Sequence, residues 1–167
     1  MLEAGQIKFM LKNFRPDRKI STITDISLEE LKQNQLIGLI IDIDNTIMPY
    51  GEQDIPENIK KWLETADAMN FRIYFLSNTM QDRANYVEET LGYPACSHSL
   101  KPRKKCFYQA QKYFGLAEEE IVVIGDQIFT DIFGGNRAGF NTILVEPLNN
   151  KDFILTKFFR MLENFFR

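Results

Sequence analysis

Asp42-Ile43-Asp44-Asn45-Thr46 sets two carboxylates two residues apart, with a small hydroxyl two residues further on. In extended chain, residues two apart point to the same side, so both carboxylates can face one site. A calcium loop starting at Asp42 needs glycine at its sixth position and glutamate at its twelfth. Ile47 and Gln53 stand there, which removes that reading. A second acidic group, Gly125-Asp126 followed by Asp131, suits a divalent-metal site, the glycine allowing the backbone to turn tightly. Ser77-Asn78 adds a hydroxyl and an amide, and Lys101, beside Pro102, adds a point charge suited to a phosphate or to the field of a carboxylate. Mg²⁺ prefers oxygen ligands from one or two carboxylates plus substrate phosphate, and a carboxylate can act as a nucleophile. The set therefore points to Mg²⁺-assisted phosphoryl transfer.

These residues need elements to bring them together. Leu36–Ile43 (LIGLIIDI) reads as a buried strand ending in acids. Glu57–Asn70 places Ile59, Trp62, Leu63, Ala66 and Met69 on one helical face. Phe71–Leu76 is a second strand, and Gln81–Leu91 a helix stopped at Gly92. A helix over Arg103–Phe114 stops at Gly115, and Ile121–Ile124 is a third strand running into Gly125-Asp126. A short helix over Thr130–Ala138 ends at Gly139, and Thr142–Val145 is a fourth strand. Alternating strands and helices predict an α/β chain with a mostly parallel sheet and right-handed crossovers. Functional groups in such sheets lie outside the carboxyl ends of the strands, where Asp42, Asp44, Ser77, Asn78 and Asp126 all fall. The glycine-rich run Gly134-Gly135-Asn136-Arg137-Ala138-Gly139 lacks the spacing of a dinucleotide fingerprint and reads as close packing and a helix end.

Composition narrows the partners. With 20 basic and 23 acidic residues the net charge is −3, which argues against nucleic acid as the main partner. A hydrophobic fraction of 44% and a charged fraction of 26% fit one folded domain over residues 1–167. Cys96 and Cys106 have no C-x-x-C spacing and read as small core residues in a reducing, cytoplasmic setting, and His98 is the lone histidine. No apolar run approaches the ~18 residues of a membrane span, and the N-terminus lacks the continuous apolar stretch of a signal peptide.

The ordered set Asp42-x-Asp44-x-Thr46, Ser77-Asn78, Lys101-Pro102 and Gly125-Asp126 with Asp131 resembles the four motifs of haloacid dehalogenase (HAD) superfamily phosphatases. The stretches LIIDIDNTI and GDQ…TDI…GGNRAG resemble subfamily IIIA, in particular the YqeG-type group, which is similar to mitochondrial phosphatidylglycerophosphate phosphatases. The resemblance implies a three-layer Rossmann-like fold. It also implies that Asp42 attacks phosphorus to form an aspartyl-phosphate, while Asp44 protonates the leaving alcohol and later deprotonates water. The Mg²⁺ shell would comprise the Asp42 carboxylate, the backbone carbonyl of Asp44, and Asp126, with Asp131 in support. Ser77 would hydrogen-bond the transferring phosphoryl group and Lys101 would balance its charge, with Thr46 and Asn78 also on the substrate side.

Only 30 residues separate Thr46 from Ser77, and 22 separate Asn78 from Lys101. These are the two places where this superfamily inserts a cap, so the resemblance implies a capless enzyme with a crevice open to a macromolecule or a lipid headgroup. Both chain ends are basic and aromatic. Residues 1–15 carry Lys8, Phe9, Lys12, Phe14 and Arg15, and residues 151–167 carry Phe158, Phe159, Phe165 and Phe166 with Lys157, Arg160 and Arg167. Amphipathic helices of this kind either lie in a bilayer interface or pack on the sheet, and both readings stay open. The expected function is dephosphorylation of phosphatidylglycerophosphate, through its anionic phospholipid headgroup, by a peripheral enzyme on the inner face of the membrane. A phosphatase for soluble or protein-borne phosphate, and a binding or assembly protein on a HAD scaffold, stand as the alternatives.

Overall fold

The computed structural model describes residues 11–149. In chain order the elements are β1 (Arg18–Ile20), α1 (Leu28–Gln33), β2 (Gly38–Ile41), α2 (Glu57–Ala68), β3 (Arg72–Leu76), α3 (Gln81–Leu91), β4 (Ala95–Cys96), α4 (Lys104–Phe114), β5 (Ile121–Gly125), α5 (Phe133–Ala138) and β6 (Asn141–Val145). The strands form one six-stranded sheet in the order β1-β6-β5-β2-β3-β4, with every pairing parallel. The α/β, Rossmann-like architecture expected from the sequence is the one observed.

Strand alternation builds the layers. Leu39 and Ile41 of β2 and Val122 and Ile124 of β5 face one core, shared with Ile59, Trp62, Leu63 and Ala66 of α2 and Ala84 and Val87 of α3. Ile40 and Val123, one residue out of phase, face a second core with Cys106, Phe107, Ala110 and Phe114 of α4 and Ala138 of α5. Strands buried on both faces explain why β2 and β5 read as unbroken apolar runs. α3 and α4 end at Gly92 and Gly115, both with positive φ, as their sequences predict.

The two edge strands were not expected. Arg18–Ile20 and Ala95–Cys96 are too short to carry a periodic signal, and each is defined by its neighbour. Asp17 Oδ2 accepts from the Thr142 backbone amide at 2.8 Å and so pins β1 along β6. The expected helix over Thr130–Ala138 divides into a wide π-type turn, Ile128–Ile132, and the short α5.

The crossover from β2 to β3 is filled by one helix, α2, and that from β3 to β4 by α3, so neither holds a cap. Of the two expected terminal helices, residues 1–10 and 151–167 lie outside the described residues. Within the N-terminal one, the Phe14 ring stacks on Phe133 at 4.3 Å and meets Phe129 edge-on at 5.3 Å, packing on the body of the protein. No helix among the described residues is long and apolar enough to cross a membrane.

Gly134, in the glycine-rich run, lets α5 approach α4. A Cβ there would lie 2.5 Å from the Phe107 ring and 3.2 Å from Pro102 Cα. Overpacking against backbone costs about 1–3 kcal/mol, so Gly134→Ala is expected to lower the unfolding free energy by that order. Urea denaturation checks it, and an unchanged midpoint would contradict the packing described here.

Candidate active site

The direction of chain progression across the sheet reverses between β2 and β5: β3 and β4 lie on one side and β6 and β1 on the other. Such a reversal opens a crevice at the carboxyl ends of the strands. Asp42 leaves β2 there, its amide donating to the Ile124 carbonyl at 2.9 Å, so the backbone of β5 fixes its position. The next turn coils around Ile43, whose carbonyl accepts from the amides of Thr46, Ile47 and Met48. That coil returns Thr46 to Asp42, and its hydroxyl donates to Asp42 Oδ2 at 3.3 Å.

The centre of the site is Lys101. Its ammonium donates to Asp42 Oδ1 at 2.5 Å and to Asp131 Oδ1 at 2.6 Å, all three side chains being buried. Burial alone would push this ammonium down, but Asp131 and Asp42 outweigh it and hold it above the ordinary lysine range. The Asp42 carboxyl moves from 3.8 up to about 7, chiefly through burial. Lys101 draws it back down, while Asp131 and Asp44 add to the rise.

Asp131 reaches Lys101 from the π-type turn, its Oδ2 accepting from the Gln127 amide at 3.2 Å. Gly125 makes room for it. A Cβ at that position would stand 2.4 Å from the Asp131 carboxylate carbon, so glycine is a steric requirement. Asp126 follows at once and is fully buried. Asp42, Asp126 and Asp131 offer carboxylate oxygens within 4.8 Å of one another. Three buried carboxylates gathered around one ammonium make an acidic cluster, an arrangement that burial penalises. An all-oxygen donor set with excess negative charge fits a hard divalent cation such as Mg²⁺.

Ser77, 1% exposed, lies beside the half-buried Asp44. The Ser77 hydroxyl is 3.5 Å from Asp44 Oδ2 and accepts from the Thr79 amide at 3.1 Å. Asn78 is placed differently from Ser77. Its Oδ1 accepts from the Lys101 amide at 2.8 Å and from the Ser99 hydroxyl at 3.0 Å, while its Nδ2 donates to the Lys101 carbonyl at 3.1 Å. The amide is thus committed to holding the lysine loop, where the sequence reading had set it on the substrate side. The structure therefore gathers Asp42, Thr46, Lys101, Asp126 and Asp131 in one buried group, with the equally buried Ser77 beside the half-buried Asp44 and Asn78 behind Lys101.

Arg83 escaped the sequence reading. Its guanidinium pairs with Asp44 Oδ1 at 2.7 Å and donates to the Glu52 and Pro49 carbonyls, tying the first turn of α3 to the loop after β2. The available signal was a cation in a first helical turn, against the helix dipole, six residues after Ser77. Cys106 is a core thiol that donates to the Arg103 carbonyl and is pushed up to about 11, mainly by burial, whereas Cys96 is half-exposed on β4.

Solved structures share this fold. The cobalt-bound deoxy-D-mannose-octulosonate 8-phosphate phosphatase YrbI of Haemophilus influenzae superposes with a TM-score of 0.53 at 16% identity, over 68% of this chain and 70% of its own. The chain itself is a phosphatase. It belongs to the PGP phosphatase family, whose model, described as mitochondrial PGP phosphatase, matches residues 5–149. The Bacillus subtilis protein named "Probable phosphatase YqeG" is 36% identical over 155 residues, 92% of this chain and 90% of that one. The Arabidopsis thaliana phosphatidylglycerophosphate phosphatase 1, chloroplastic/mitochondrial, is 29% identical over 147 residues, 82% of this chain. The chain spans only 42% of that relative's length.

The raised Asp42 carboxyl has a consequence for stability without metal. Between its unfolded value of 3.8 and about 7 the folded state binds a proton that the unfolded chain lacks, so this group makes stability fall as pH rises through that window. Asp42→Asn removes that slope. In EDTA the variant is expected to melt above the wild type at about pH 8, the gain vanishing towards about pH 4. Parallel thermal melts check this, and a gain that does not change with pH would contradict it.

Proposed function

We propose that this chain is a single-domain, Mg²⁺-dependent phosphomonoester hydrolase that dephosphorylates phosphatidylglycerophosphate to phosphatidylglycerol at the cytoplasmic face of a membrane. The observation that carries the chemistry is the buried Asp42–Lys101–Asp131 group beside Asp126 at the carboxyl ends of the strands, with Ser77 against Asp44. Membership of the PGP phosphatase family and the uncapped crossovers support the lipid substrate.

In this reading an Asp42 carboxylate oxygen attacks phosphorus, the bond to the ester oxygen breaks, and Asp44 gives that oxygen its proton. Water then attacks the aspartyl-phosphate, Asp44 takes its proton back, and the bond from phosphorus to Asp42 breaks to release inorganic phosphate. The Ser77 hydroxyl and the Lys101 ammonium meet the phosphoryl oxygens, where charge accumulates as the bonds exchange. Thr46 orients the Asp42 carboxylate, Asn78 positions Lys101, and Arg83 holds Asp44 at the mouth. Asp42, Asp126, Asp131 and the Asp44 carbonyl would hold Mg²⁺, which when bound supplies positive charge that favours the ionised form of Asp42 and offsets phosphate charge.

The test is Mg²⁺-dependent phosphate release from vesicles containing phosphatidylglycerophosphate, with Asp42→Asn alongside. Release is expected, with loss of at least about a thousandfold in the variant, and abolition by EDTA. Turnover of a small chromogenic phosphoester without lipid turnover would remove the lipid substrate and keep the mechanism. Silence on both substrates would overturn the enzymatic reading.

A further inference from the structure

Three features that the fold itself does not reward occur together at the mouth of the crevice. Met80 is 69% exposed and Leu100 57%, the two most exposed large aliphatic side chains among the described residues. They sit on the two loops that carry Ser77 and Lys101, and these loops are laced into one surface. The His98 amide donates to the Thr79 carbonyl, the Ser99 amide to the Ser77 carbonyl, and the Ser97 hydroxyl to Gln81 Oε1 at 2.6 Å. Leu100 also has a φ of 55°, a left-handed conformation that its side chain disfavours, and it recovers nothing by burial.

The third feature is charge. Directly after Pro102, the exposed Arg103, Lys104 and Lys105 cap and open α4, a helix with no acidic residue in its first turn. Cations there oppose the helix dipole, and none of the three forms an ion pair among the described residues. Local rules broken in one place mark a surface shaped for something other than stability.

From this juxtaposition we infer that the rim formed by Met80 and Leu100, flanked by Arg103, Lys104 and Lys105, is a docking surface for an anionic lipid bilayer. The identification of the occupant rests on the lipid-phosphatase reading above and on charge. Aliphatic side chains ringed by cations enter the headgroup boundary while the cations hold anionic lipid. Binding in that pose turns the two loops that carry Ser77 and Lys101 towards the headgroups. It also differs from contact through the chain ends, of which Phe14 is already packed on Phe133.

Flotation of the full chain with phosphatidylglycerol vesicles and with phosphatidylcholine vesicles tests the surface without relying on catalysis. The wild type is expected to bind the anionic vesicles, and more weakly as salt rises. Met80→Ser combined with Leu100→Asn, the asparagine suiting the left-handed backbone, is expected to weaken that binding at least about tenfold. Replacing Arg103, Lys104 and Lys105 by glutamine is expected to remove the preference for anionic vesicles. Turnover of a soluble chromogenic phosphoester should stay within about twofold in both variants, which verifies that they fold. Variants that bind like the wild type, or a wild type that ignores anionic vesicles, overturn the docking surface. Lipid turnover by a wild type whose binding the variants do not alter overturns the surface and spares the lipid-phosphatase reading. Vesicle binding lost in the variants, with no lipid turnover by the wild type, does the reverse.

Discussion

The ammonium of Lys101, held between Asp42 and Asp131, is the interaction on which the rest of this site depends. Three strand ends and a loop deliver carboxylates and hydroxyls to one crevice, and like charges brought together without water repel. A lysine in the middle makes the gathering possible, but only if its own position is fixed, because its long side chain costs entropy to hold still. The fold answers with Asn78, whose amide grips the backbone of Lys101 on both its N–H and its C=O. The residue beside Ser77 is therefore part of the charge machinery through its neighbour across the crevice. It ties the end of β3 to the loop after β4 at the point where the phosphoryl oxygens would lie.

The same constraint runs into the backbone on the other side. For Asp131 to reach Lys101, the chain after β5 opens into a π-type turn and Gly125 gives up its side chain, since any Cβ would collide with the carboxylate. A regular helix starting at Asp126 would aim residue 131 elsewhere. The break in helical regularity is thus the means by which one acid is added to the group, in keeping with the tendency of such turns to occur at functional positions. Three buried carboxylates gather around one ammonium, and the rise of Asp42 to about 7 comes chiefly from burial, with Asp131 and Asp44 adding to it and Lys101 drawing it back. An acidic, all-oxygen donor set of this kind fits a hard divalent cation.

Much of this was legible in the sequence because it is local. Leu36–Ile43 and Ile121–Ile124 announce buried parallel strands, and acids placed directly after such strands fall at the crevice by the geometry of the sheet. What the sequence concealed depends on long-range contact. Lys101 was legible as a point charge before a helix but carries no local signal of burial between Asp42 and Asp131. Arg83 meets Asp44 across 39 residues, and Asn78 meets Lys101 across 23. Edge strands of two and three residues have no period to read, and they exist because β3 and β6 offer them unpaired backbone. The glycine-rich run was legible as close packing but not in its partners, Phe107 and Pro102, which only the folded chain supplies.

Phosphoryl transfer is favoured when the reacting groups are shielded from bulk water. In this chain neither crossover supplies a cover, since α2 and α3 are each packed into a core by one apolar face and belong to the layers of the fold. The rim that remains is aliphatic at Met80 and Leu100 and cationic at Arg103–Lys105, with Arg83 bracing Asp44 behind it. Shielding must then come from whatever presents the phosphate. A small soluble ester leaves such a crevice open on the side it entered, whereas a headgroup in a bilayer brings an apolar surface and anionic neighbours that match this rim in both respects. On the lipid-phosphatase reading proposed above, the missing cap and the unrewarded residues at the mouth are two sides of one arrangement, in which a membrane carrying the substrate would also close the site.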